Sequence, residues 1–147
     1  MSRSPLDYVD REPARLAIAE RYGANPIEMR QPPERLGPYD VVVDGSATVE
    51  GLRCALRSAS PGGNCTSTGI YFEEQPIPLF DMYRSCVSYH TGPCQARPLL
   101  PAVLELLIDG RFDPQPVTAE VVGWDDAPQA YGRLTTKTVI VRDAITP

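Results

Sequence analysis

The sequence predicts an α/β fold built around a mostly parallel sheet. Short apolar and β-branched runs recur along the 147 residues, and stretches of helix formers alternate with them. Strands separated by helices imply crossover connections, and such crossovers join parallel neighbours. Proline supplies the punctuation. The chain has 16 prolines, many of them clustered in 26–38, 76–78, 93–101 and 114–116, mostly between the runs or at their ends. A residue that lacks an N–H and restricts its predecessor marks loops and element boundaries.

Leu6 to Asp10 reads as a short strand ending in an acid. Pro13 then falls in a first helical turn, where an N–H is not needed. Ala14 to Tyr22 is rich in helix formers, and Gly23 supplies the stop. Asn25 to Met29 reads as a second short strand and 30–38 as a loop. Tyr39 to Asp44 (YDVVVD) is a β-branched run of the kind buried in a parallel sheet. Thr48 is a plausible N-cap for a helix from Val49 to Ser58, with Leu52, Ala55 and Leu56 on one face. Pro61-Gly62-Gly63 reads as a turn, Cys65 to Phe72 as a strand, and Pro78 to Arg84 as a short irregular or helical piece. Cys86 to His90 reads as another strand. Arg97 to Gly110 has Leu100, Val103, Leu104 and Leu107 at helical spacing, with Gly110 as its stop. Val117 to Val122 reads as a strand. Asp125-Asp126-Ala127-Pro128 opens a short helix to about Leu134, with an acid capping its start. Lys137 to Arg142 closes the pattern as a strand.

Composition excludes several partners. A net charge of -5, with Lys137 the only lysine, argues against nucleic acid and anionic membranes, since both reward clustered cations. No apolar run approaches the roughly 20 residues of a bilayer span. Met1 to Pro5 lacks the apolar stretch of a secretory signal, so the expected compartment is the cytosol. The cysteines, Cys54, Cys65, Cys86 and Cys94, form no CxxC pair, and His90 is the only histidine. They read as small buried apolar residues rather than as metal ligands. Trp124 with Tyr131 reads as a packing pair, and Asp125-Asp126 as a helix start rather than a carboxylate dyad.

Several segments, in order and spacing, resemble the zinc-type alcohol dehydrogenases of the medium-chain dehydrogenase/reductase superfamily. Val9-Asp10-Arg11-Glu12-Pro13-Ala14-Arg15-Leu16, then Ala19 and Gly23-Ala24, resemble that family's second Rossmann strand and its helix. Asp40-Val41-Val42-Val43-Asp44 resembles the fourth strand. Leu52, Ala55-Leu56 and Pro61-Gly62-Gly63 resemble the next helix and the turn into the fifth strand, and Gly69-Ile70-Tyr71-Phe72 that strand's end. Leu100-Pro101, Leu104, Leu107-Ile108, Gly110, Asp113-Pro114, Asp126-Ala127-Pro128, Ala130-Tyr131 and Lys137 to Val141 resemble the closing segment.

The resemblance implies an incomplete, doubly wound Rossmann-like sheet with a C-terminal α+β return segment. Residues 6–92 would be a partial NAD-binding domain, and 93–147 the segment that in the family returns to the catalytic domain. No GxGxxG appears, so the first strand and phosphate loop are expected to be missing from this stretch, together with the family's zinc ligands.

In that fold Asp10 would accept hydrogen bonds from the adenosine ribose and would favour NAD over NADP. The same acid could instead serve the dipole of its helix. Arg15 would lean toward the adenosine side, with Arg11 beside it, unless both are solvated helix-face charges. Gly45 and Ser46, Gly69, Ile70 and Tyr71, and His90 would line the cofactor cleft at strand ends, or else form ordinary turns. His90 reads as structural rather than as a proton relay.

The expected function is an alcohol dehydrogenase-like C-terminal NAD-binding portion, descended from hydride transfer between an alcohol and NAD and inactive alone. No catalytic or metal residue is assigned to it. With the first strand absent, the second and fourth strands would pair directly, or a homodimer or a partner chain bearing the missing half of a split dehydrogenase would complete their edges. The alternative is a non-catalytic interaction module or truncated remnant.

Overall fold

A computed structural model describes residues 6–133, 135 and 137–142. The elements in chain order are β1 (Asp7–Asp10), α1 (Pro13–Arg21), β2 (Asn25–Glu28), β3 (Tyr39–Asp44), α2 (Val49–Ser58) and β4 (Ala59–Ser67). Then come α3 (Leu79–Ser85), β5 (Ser88–Thr91), α4 (Ala96–Ile108), β6 (Glu120–Gly123), α5 (Ala127–Tyr131) and β7 (Thr138–Val141). Every strand pairing among the described residues is parallel. The expected α/β, Rossmann-like class is therefore observed. The strands form three separate sheets, β1-β2, β3-β4-β5 and β6-β7. Two compact units result: one from the chain up to Glu28 and from Pro98 onward, the other from Met29 to Arg97.

In the first unit, β1, α1 and β2 make one right-sized crossover. Pro13 opens α1 without a side-chain cap, and Gly23, at φ 82°, ends it. Leu16 and Ala19 of α1, and Ala24 just after it, are buried. β6 and β7 repeat the parallel pairing through α5, whose Ala130 is buried. Asp126 precedes α5 but its side chain makes no cap hydrogen bond, so the expected acidic cap is not formed. Val117, expected in a strand, lies in a 3-10 turn, Gln115–Val117. Trp124 and Tyr131 are exposed, which corrects the expected packing pair. The Arg142 guanidinium instead stacks over the Trp124 ring, 5.7 Å from its centroid. No residue of α4 is buried, although Leu100, Val103 and Leu104 share the expected helical spacing.

The second unit is a β3-β4-β5 sheet with α2 and α3 on one face. Leu52 and Leu56 of α2 and Cys65 of β4 form the buried centre, against which Val42, Met82 and Tyr89 pack. Thr48 caps α2 as expected, its Oγ1 accepting the Gly51 N–H at 3.2 Å. The other sheet face is open: Val41 and Val43 are 70% and 66% exposed. The YDVVVD run is thus half-buried and not buried on both faces, because both helices cover the same side.

Pro61-Gly62-Gly63 is not a turn before a strand. It lies inside β4, which begins at Ala59 and ends at Ser67 rather than at Phe72. Tyr39 pairs with Ala59 and Val41 with Asn64, so two steps along β3 span five along β4, and the prolyl-glycyl segment is the bulge. Among the described residues no helix is long and apolar enough to cross a membrane.

Candidate functional site

The carboxyl ends of β3, β4 and β5 lie side by side. Asp44 pairs with Ser67 and Ser67 with Thr91, in one row across the sheet. In open parallel sheets, ligands bind beyond such ends. The row is organised by Asp44, which is buried at 3% exposure. Its Oδ1 accepts the Ser46 hydroxyl at 2.7 Å and the Ser46 N–H at 3.0 Å. Its Oδ2 accepts the hydroxyls of Ser67 and Tyr71, both at 2.7 Å. A buried carboxylate is tolerable only when its lone pairs are met, and these four donors meet them.

Burial alone would raise the Asp44 carboxyl. The hydroxyls of Ser46, Tyr71 and Ser67 and the Ser46 N–H outweigh it and hold the group below its ordinary 3.8. Burial and the bond to Asp44 push the Tyr71 phenol up to about 12. Tyr71 is therefore fixed as a donor to Asp44 and is no acid near neutrality. Asp44 and Ser67 were not among the residues singled out from the sequence. The signal for Asp44 was visible as an acid ending an otherwise apolar strand; Ser67 carried none.

Two tight approaches complete the site. Gly69 lies under the Ala47 backbone, where a Cβ would stand 3.0 Å from its nitrogen, and Ala47 itself adopts φ 51°. At Gly51 a Cβ would lie 2.1 Å from the Ser46 Oγ, which Asp44 holds in place. Alanine normally favours a helix over glycine by roughly 1 kcal/mol. Here the sign should reverse: Gly51→Ala is expected to destabilise by about 1–2 kcal/mol, the scale of overpacking, in urea unfolding. A stabilised variant would show that Ser46 is free to move.

The remaining predicted residues fall as follows. Gly45 and Ser46 follow β3, and Gly69, Ile70 and Tyr71 follow β4, so the two loops meet at Asp44. Ile70 is 70% exposed. His90 pairs with Thr66, one step before the terminal row and adjacent in sequence to the core residue Tyr89, and it is exposed.

Asp10 ends β1 in the other unit. Its Oδ1 accepts the N–H groups of Arg11 at 2.7 Å and Glu12 at 3.0 Å. Its Oδ2 meets the Tyr8 hydroxyl at 3.3 Å and Arg15 Nη1 at 3.5 Å. Burial would raise this carboxyl too. The two N–H donors, Arg15 and Tyr8 together lower it. Arg11 turns away, 3.9 Å from Glu12. Asp10 thus serves its own turn first.

These groups do not by themselves fit a whole dinucleotide. Asp10 offers an acceptor with both oxygens already engaged, and no glycine-rich phosphate loop accompanies the strand ends. Cavities of about 300 and 180 Å³ lie instead beside Ala59 and Val87, and beside Thr138. Nor do the residues fit zinc: among those described, no three of His, Cys, Asp and Glu converge. Cys54 and Cys65 are buried as expected, while Cys86 and Cys94 are exposed, against expectation. Burial, with Asp44 nearby, pushes the Cys65 thiol up to about 11. Native-state titration with a thiol reagent is expected to modify Cys86 and Cys94 quickly and Cys54 and Cys65 only on unfolding. Rapid reaction of all four would contradict this packing.

No known protein family matches the chain, and no curated protein matches it either. Solved structures do. Alcohol dehydrogenase TADH from Thermus sp. ATN1 superposes with a TM-score of 0.79 at 24% identity, over 96% of this chain and 44% of that one. An alcohol dehydrogenase from E. coli, solved with NADH, gives 0.79 at 17% identity over 95% and 44%. The 2R,3R-butanediol dehydrogenase of Bacillus subtilis gives 0.76 at 20% identity over 90% and 42%. The chain spans less than half the length of these proteins. Its fold is that of a part of the alcohol dehydrogenases, the group to which its sequence motifs are similar.

Proposed function

We propose that these residues are the C-terminal, cofactor-facing portion of an alcohol dehydrogenase-like protein of the NAD-linked, zinc-dependent type. The observation that carries this is the fold match over 96% of the chain but only 44% of its counterpart. The chemistry of such enzymes is hydride exchange between an alcohol carbon and nicotinamide, with metal polarising the oxygen. This stretch would contribute strand ends that line the cofactor cleft and an acid, Asp10, whose contacts to Tyr8 at 3.3 Å and Arg15 at 3.5 Å are the ones a ribose hydroxyl would replace. It contributes neither the phosphate cradle nor a ligand set for zinc, so it is inactive by itself.

A complementary polypeptide, in a partner chain or a second copy, would supply the rest. The uncovered apolar residues of β3 and α4 support that reading. The test is an oxidation assay with a short alcohol, NAD and zinc. The expected result is no turnover by the 147 residues, and turnover when a zinc-binding domain ending in GxGxxG is added. Turnover by the chain alone would overturn the proposal.

One observation favours a second reading, a non-catalytic module: both Asp10 oxygens are already engaged within the chain. Failure of every complementing domain to restore activity would select it.

A further inference from the structure

The cavity of about 300 Å³ in the Met29–Arg97 unit lies at the amino ends of β4 and β5, opposite the carboxyl ends that form the Asp44 row. Ala59, which opens β4, and Val87, just before β5, form its floor with Leu56. Its rim carries Arg35, Arg57 and Arg84 against Glu34 and Asp81. Arg57 engages both acids, at 2.8 Å to Asp81 and 3.7 Å to Glu34. Arg35 and Arg84 are left without a carboxylate partner among the described residues. Arg35 and Arg84 thus face a pocket lined by both charged and apolar residues, on a chain of net charge -5. Guanidiniums without a carboxylate partner fit a planar or tetrahedral oxyanion, which their forked donors meet in pairs.

We infer that this pocket binds a small molecule bearing a phosphate or carboxylate group, held by Arg35 and Arg84. The Arg57–Asp81 bridge positions the α3 end of the rim and neutralises the acid that would otherwise repel the ligand. The cavity is at the small end of ligand sites, which limits the occupant to a few heavy atoms beyond its anionic group. A ligand there leaves the Asp44 row untouched, so the site is independent of any cofactor at the strand ends.

The test is titration of pyrophosphate, and in parallel citrate, into the full chain, followed by amide chemical shifts. Sodium chloride at matched ionic strength is the control. Saturable shifts at Ala59, Ser85 and Val87 are expected with at least one of the two anions, and little change at Asp44 and Ser67. Arg35→Gln and Arg84→Gln should each weaken binding about tenfold, the scale of one charge-assisted hydrogen bond. Arg84→Lys, which keeps the charge but loses the fork, should fall between. Both side chains are exposed, so the fold should survive, and a dispersed spectrum checks it. Shifts that only follow ionic strength, or that centre on the Asp44 row, would overturn the inference, as would unchanged affinity in both glutamine variants.

Discussion

Replacing Asp44 with alanine is expected to destabilise the β3-β4-β5 unit by about 3 kcal/mol, because several buried donors lose their acceptor at once. Ser46, Ser67 and Tyr71 all aim at this one carboxylate from within 2.7 Å. Tyr71→Phe removes one donor and leaves the others satisfied, so it should cost only about 1 kcal/mol. Chemical unfolding of the two variants separates them. Equal losses would mean that the carboxylate is not the centre of the network.

Acid should mimic the Asp44 variant. The Asp44 and Asp10 carboxyls are both held below 3.8 in the folded chain. Their contribution is fully present above the unfolded value and is lost as pH falls through the lower folded values. The Asp44→Ala chain should therefore show a shallower loss of stability below about pH 4 than the parent.

Leu56→Ala is expected to have an effect of similar size, about 3 kcal/mol, from lost transfer energy and the cavity left behind. Leu56 is 2% exposed and sits between α2 and the sheet at Cys65. The site depends on it indirectly. α2 carries Gly51 against Ser46, and Ser46 braces Asp44, so loosening the helix loosens both loops. Amide exchange should report faster opening in α2 and β4 than in β1 and α1. Uniform acceleration across both units would show that they do not unfold separately.

Much of the fold was legible because local signals and packing agree in it. The 3.6-residue period from Val49 to Ser58, its Thr48 cap and the β-branched run before it all predict what is seen. The misreadings have physical reasons. Pro61-Gly62-Gly63 has turn chemistry, but the pairing of β3 with β4 absorbs it as a bulge, a tertiary choice no window of residues contains. The strand therefore lies earlier than its apolar residues suggest. Val41 and Val43 look like core, yet α2 and α3 cover only the other face.

The site was legible in outline only. Gly45, Ser46, Gly69 and Tyr71 read as strand-end residues in the sequence, and their loops meet around Asp44 and Ala47. The group that brings them together, Asp44, draws its meaning from Ser67 and Tyr71, 23 and 27 residues away in sequence. Asp10 was visible as an acid at a strand end. Its engagement by the N–H groups of Arg11 and Glu12 follows from a turn geometry that a sequence does not display.

The most direct test of the reading as an incomplete dehydrogenase portion is calorimetric titration of NADH into the purified chain. The expected result is no saturation below about 1 mM, since the phosphate cradle that supplies most polar contacts is lacking. A micromolar Kd, lost in an Asp10→Ala variant, would contradict it and show that these residues form a complete nucleotide site.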